Sequence, residues 1–200
     1  GYIRHRSGRI TYDGVELSAQ TVQNRCYAGM VRTFQTPKLF EQMTVLENVM
    51  VGCSKITSSG MIEGLFRAPR ARRDLAFMRA RAEALCEKFS LGPVRDRLAR
   101  NLSAGQRRVL EIARAVASEP NLLLLDEPSS GLNPDEIDEL SRSIRLLNAD
   151  GLSILLVSHD MDLMSVAGNV HVLYFGKIIA SGGMDEIQCN AQVREAYFGS

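Results

Sequence analysis

An excess of charge of either sign is missing from this sequence: 24 Lys and Arg stand against 23 Asp and Glu, a formal net charge of +1. A nucleic-acid binder carries a large basic excess, so that class is set aside. Long apolar runs are missing too. The longest, around Leu122–Leu125 and Ile154–Val157, are strand-sized and fall far short of a bilayer span. The N-terminus lacks the apolar block of a signal peptide. Four cysteines, at 26, 53, 86 and 189, form no CxxC pair, and three histidines are equally scattered. A metal centre built from Cys and His is therefore not expected. These absences point to a cytosolic protein that reaches a membrane only through a partner.

What is present is an ordinary globular composition, 45% hydrophobic and 24% charged, enough for a core in one domain or a domain with a small subdomain. Arg9–Tyr12 and Val15–Leu17 flank Asp13-Gly14 as a hairpin. Met30–Phe34 reads as a strand closed by Gln35. Thr44-Val45-Leu46-Glu47 is a capping-box pattern that predicts a helix. Ser54–Gly64 reads as loop. From Asp74, the apolar residues Leu75, Met78, Ala82, Leu85 and Phe89 recur at helical spacing. The arginines clustered at the start of that helix (67, 70, 72, 73, 79, 81) read as a solvated face balanced by Asp74, Glu83 and Glu87.

A second helix follows Ser103, with Val109, Ile112, Ala113 and Val116 as its buried side. Leu122–Leu125 reads as a strand buried on both faces of a parallel sheet. Asn133-Pro134-Asp135-Glu136 starts a helix with Asn as cap and Pro at its first position, and Ile137, Leu140, Ile144 and Leu147 form its apolar side. Ile154–Val157 is another strand. Val170–Phe175 and Lys177–Ala180 pair around Gly176, and Met184–Phe198 reads as helical. Alternating strands and helices predict an α/β layer architecture.

Two constellations carry chemistry. Leu123-Leu124-Leu125-Asp126-Glu127-Pro128 ends a buried strand in adjacent carboxylates, the arrangement in which phosphoryl-transfer enzymes hold magnesium. About twenty residues upstream, Leu102-Ser103-Ala104-Gly105-Gln106 opens a helix. A hydroxyl, a glycine N–H and a helix N-terminus together make an anion site. The conjunction of these two strings resembles the ABC ATPase family, and further landmarks follow. Gln35 is similar to the Q-loop glutamine, Ser130-Gly131-Leu132-Asn133 to the D-loop (with Asn133 where the family usually has Asp), and His159 after Leu155-Leu156-Val157-Ser158 to the switch histidine.

The resemblance implies an α/β fold with a P-loop NTPase core and a helical subdomain. Residues 1–40 and 102–183 would form a partial RecA-like core, 41–101 the helical subdomain including the start of the signature segment, and 184–200 a C-terminal helical tail. It implies ATP and Mg2+ as ligands. Asp126 and Gln35 would be the metal contacts, Glu127 the general base, and His159, the second catalytic residue, would sense the γ-phosphate together with Gln35. Gln35, Ser103, Ala104, Gly105, Gln106 and Asn133 would touch nucleotide, Ser103 and Gly105 through the γ-phosphate held by a second ATP-binding subunit. Transmembrane permease subunits are the other implied partner, and the cytoplasmic face of the inner membrane the place.

The phosphate-binding loop Gly-x-x-x-x-Gly-Lys-Ser/Thr does not occur in residues 1–200. The resemblance puts Gly1 roughly ten residues beyond it, judged by helix length. The expectation is an N-terminal part missing by truncation, weak ATP binding by the chain alone, and an exposed apolar sheet edge that lowers stability. Arg32-Thr33-Phe34-Gln35, Met43–Val49, the insert Gly64–Pro69 and the ending Val193–Gly199 are similar to importer subunits for branched-chain amino acids or urea. Two alternatives stay open: a non-catalytic partner lending only its signature surface, and a non-transport ABC ATPase.

Overall fold

The computed structural model describes residues 7–55 and 69–198. The expected loop beyond Lys55, the insert before Pro69 with Arg67, and the segment before Ser7 lie outside the described residues.

The hairpin forms as β1 (Thr11–Tyr12) and β2 (Val15–Glu16), antiparallel with Tyr12 opposite Val15. Asp13 and Gly14 both take positive φ, 48° and 75°, the left-handed pair that a two-residue hairpin turn requires. A short helix α1 (Val22–Tyr27), capped by Thr21, leads to β3 (Met30–Arg32). The predicted capping box is present at α2 (Val45–Gly52): the Thr44 hydroxyl accepts from the Glu47 N–H, and the Glu47 carboxylate accepts from the Thr44 N–H.

Helix α3 (Pro69–Lys88) begins six residues before Leu75, the first residue of the apolar repeat. Periodicity marks where a helix starts to pack, whereas a proline suits its very first turn. Leu75 is accordingly 56% exposed, and burial begins farther on, with Ala82, Leu85 and Phe89. Of the basic run, Arg79 pairs with Glu83, and Arg81 pairs with Glu119.

Next come α4 (Ala104–Val116), β4 (Leu122–Asp126), α5 (Pro134–Ala149) and β5 (Ser153–Val157). After α6 (Met161–Met164), β6 (Val170–Tyr174) and β7 (Lys177–Gly182) pair antiparallel. The C-terminal stretch is two helices, α7 (Met184–Cys189) and α8 (Ala191–Phe198). The break falls at Asn190, whose side chain accepts from the Gln192 and Val193 N–H groups and restarts the chain as a cap.

Strands β3, β4 and β5 form a parallel sheet in that order. Leu123 and Leu125 are buried and lie beside Ile154 and Leu156. The alternate positions face the other way, and there Leu155 and Val157 are 56% and 53% exposed. Leu122 and Leu124 are part-buried, so the leucine run is fully covered on one face and only partly on the other. One continuous apolar cluster joins α2, α3, α4, β4 and α5 through Val49, Phe89, Leu110, Ile112, Leu125 and Leu140. A smaller cluster, around Val170, Ile187 and Val193, holds the β6–β7 pair to the C-terminal helices.

Candidate nucleotide site

The carboxyl end of β4 is where the chemistry collects. Asp126 closes the strand, and its Oδ2 receives the Arg32 guanidinium at 2.6 Å from the neighbouring β3. Glu127 follows with φ at +47°, a left-handed conformation that side chains other than glycine rarely adopt and that recurs where function demands it. Its N–H donates to the Val157 carbonyl at 2.8 Å, which ties the turn to the tip of β5. Its carboxylate then meets His159 just beyond that tip, with Nδ1 to Oε2 at 2.8 Å. The His159 side chain is 79% exposed and Glu127 23%, so the pair stands at the rim of the sheet. Ser129 and Ser158 approach hydroxyl to hydroxyl at 3.4 Å and hold the two loops together.

A second group forms at the N-terminus of α4. Ser103 caps it in a reciprocal box with Gln106, and Ala104, the first helical residue, is exposed. Gly105 is buried, and its N–H donates to Glu136 Oε1 at 2.9 Å. The Ser103 hydroxyl donates to the same oxygen at 3.1 Å. Glu136 also accepts from the Asn133 N–H through Oε2, while the Asn133 side chain accepts from the Glu136 N–H. The carboxylate of α5 thus occupies the Ser103 hydroxyl and Gly105 N–H donors at the start of α4. These bonds, that from Gly105 foremost, hold the Glu136 pKa below its ordinary value. The glycine leaves room for this carboxylate: a Cβ at Gly105 would lie 2.7 Å from Glu136 Cγ and Oε1, so a larger residue would push the Glu136 side chain aside.

Gln35 lies in an exposed bend past β3. Its backbone is fixed from α4: Arg108 donates to the Phe34 and Gln35 carbonyls at 2.7 and 2.6 Å, and Glu111 accepts from the Phe34 N–H at 3.1 Å.

The sequence-derived residues therefore fall into Asp126 with Glu127 and His159, Ser103 with Gly105 and Asn133, and Gln35 on its own anchor. Four partners were not singled out: Arg32, Arg108, Glu111 and Glu136. The capping-box spacing of Asn133 and Glu136 was visible, but that the same carboxylate reaches α4 was not. Among the described residues no group of three or more His, Cys, Asp and Glu gathers as a metal cluster.

The profile of the ABC transporter family matches residues 1–130. The chain belongs to the ABC transporter family. A second profile, that of the branched-chain amino acid ATP-binding cassette transporter, matches residues 177–200. The chain is 38% identical to the high-affinity branched-chain amino acid transport ATP-binding protein LivG of Salmonella typhimurium, over all of this chain and 79% of the relative. It is 36% identical to BraF of Pseudomonas aeruginosa, described in the same words, with the same coverage. A nucleotide-free ATP-binding cassette from an ABC transporter superposes with a TM-score of 0.80 at 28% identity, covering 100% of this chain and 80% of that one. The family is one of ATP-binding, generally ATP-hydrolysing proteins, and its fold is the P-loop NTPase α/β architecture that the motifs implied.

Proposed function

We propose that this chain is the ATP-binding and ATP-hydrolysing part of an importer for branched-chain amino acids, working at the cytoplasmic face of the inner membrane against transmembrane permease subunits. The relatives named above support the substrate class. Among the described residues no helix is long and apolar enough to cross a membrane, in keeping with a peripheral place. The RecA-like core is assigned to residues 1–40 and 102–183, the helical subdomain to 41–101 and the helical tail to 184–200.

The observation that carries the mechanism is the Glu127–His159 contact of 2.8 Å at the end of β4. A general base must be held in one orientation with an oxygen left to accept the proton. His159 engages Oε2 and so orients the carboxylate. Glu127 then takes a proton from water as the water oxygen bonds to the γ-phosphorus and the bond from that phosphorus to the ADP oxygen breaks. Asp126 is a hard oxygen donor of the kind magnesium takes, one or two at a time alongside phosphate. Arg32 binds it through Oδ2, so a metal would use the other oxygen or displace the guanidinium. Magnesium supplies charge neutralisation to the phosphates when bound, and Gln35 is assigned beside it. Ser103, Ala104, Gly105, Gln106 and Asn133 serve the nucleotide of a second subunit, and Glu136 must release the Ser103 and Gly105 donors for that to happen.

The test is Glu127→Gln in the full-length protein. Loss of a general base lowers turnover by about 10²- to 10⁴-fold, while ATP still binds, so an ATP-bound dimer should accumulate in sizing experiments and uptake of labelled leucine should stop. Undiminished turnover would remove Glu127 from the role of base.

A further inference from the structure

Arg108 and Glu111 are a buried ion pair whose side chains are each 3% exposed, joined at 2.7 Å one turn into α4. A buried pair of opposite charges is costly to desolvate and is weak evidence for stability by itself. Its remaining hydrogen-bonding capacity shows what it is used for. Arg108 Nη1 donates to the Phe34 carbonyl, Arg108 Nη2 to the Gln35 carbonyl, and Glu111 Oε1 accepts from the Phe34 N–H. Both backbone groups of Phe34 and the carbonyl of Gln35 are thereby bonded to one helix.

The attachment continues along the same helix. Arg114 donates to the Lys38 carbonyl and stacks over the Phe40 ring at 5.6 Å, and Arg107 pairs with Glu41 at 2.6 Å. One residue earlier the anchor is different: the Thr33 N–H donates to the Leu124 carbonyl of β4 at 3.0 Å. Thr33 is therefore bonded to the sheet, and the chain from Phe34 to Glu41 is bonded to α4. The helix that carries Gln35's backbone also carries Ser103 and Gly105 at its N-terminus.

We propose that Arg108 and Glu111 are positioning residues for Gln35, fixing it to the helix that begins at Ser103 so that the two nucleotide-contacting segments shift as one body. This rests on the reading of Gln35 given above. A guanidinium suits the task because its planar fork presents several donors in fixed directions, so one side chain meets a carboxylate and two successive carbonyls.

The experiment is a mutant cycle on ATP turnover in the full-length protein. It compares wild type, Gln35→Ala, the apolar pair Arg108→Met with Glu111→Leu, and the combination of all three. Replacing both charges by apolar residues of similar size leaves no orphaned charge, so the fold is expected to persist, and thermal melting checks this. Gln35→Ala should lower kcat at least tenfold with little change in KM. The apolar pair leaves the Phe34 and Gln35 backbone groups without these partners, so its melting midpoint should fall somewhat while unfolding stays cooperative above the assay temperature. It should lower kcat by a similar factor, and the combination should be no slower than Gln35→Ala alone. If the two effects multiply instead, the pair does not act through Gln35, and the inference falls while the reading of Gln35 stands. If Gln35→Ala leaves kcat unchanged, that reading falls and takes the inference with it. Should the apolar pair not fold, Arg108→Lys provides the same cycle. It retains the charge opposite Glu111 but loses the fork, and the same non-additivity with Gln35→Ala is expected.

Discussion

Glu136 accepts hydrogen bonds from the Ser103 hydroxyl, the Gly105 N–H and the Asn133 N–H, and such donors favour the charged form of a carboxylate. Its pKa is accordingly held below the ordinary value near 4.5, chiefly by the Gly105 N–H. A pKa lowered in the folded state means that the stabilisation is complete above the ordinary value and disappears as pH falls through the folded one. Glu136→Gln should therefore melt below wild type at pH 7, and the gap should close in acid, once the pH has fallen past the ordinary carboxylate value and through the lower folded one. An equal gap at both pH values would mean that charge is not what matters there. Much at this scale was legible in advance. Asp126, Glu127, Ser103 and Gln35 could be picked out because their neighbours form short contiguous strings. Glu136, Arg32, Arg108 and Glu111 act on residues 31 or more positions away, and no local string records such a partner.

Elements start where their caps say they start. Thr44, Ser103 and Asn133 each close a reciprocal box with the residue three positions on, and all three lie in patterns that the sequence displays. Thr44→Ala removes an acceptor for the Glu47 N–H and should cost about 1 kcal/mol. Urea denaturation should register this as a lower midpoint with an unchanged slope. A change in slope would instead mean that α2 had come apart from the core. Apolar periodicity was a less complete guide. It placed α5 well, because Leu140, Ile144 and Leu147 are all buried. It misjudged the start of α3, because Leu75 fits the repeat but extends past the surface against which Ala82 and Phe89 pack.

In the molecule as a whole, the exposed sheet face separates residues that look alike in sequence. Leu125 is 1% exposed and Leu155 is 56% exposed, although both sit in strand-like apolar runs. Leu125→Ala should cost about 2–5 kcal/mol by leaving a cavity. Leu155→Asp should stay within about 0.5 kcal/mol and reduce the binding of a hydrophobic dye. Chemical denaturation of the two variants checks the first contrast and dye fluorescence the second. A large loss from Leu155→Asp would show that this face is packed in solution. The sequence by itself determined the α/β class, the caps, the family and the carboxylate pair, because each is encoded within a few neighbouring residues whose backbone geometry is local. Tertiary structure alone decided which face of the sheet is covered, that Glu136 sits on the N-terminal donors of α4, and that Arg108 and Glu111 hold the backbone of Gln35. These depend on where distant segments meet, and the geometry of that meeting comes from packing the core.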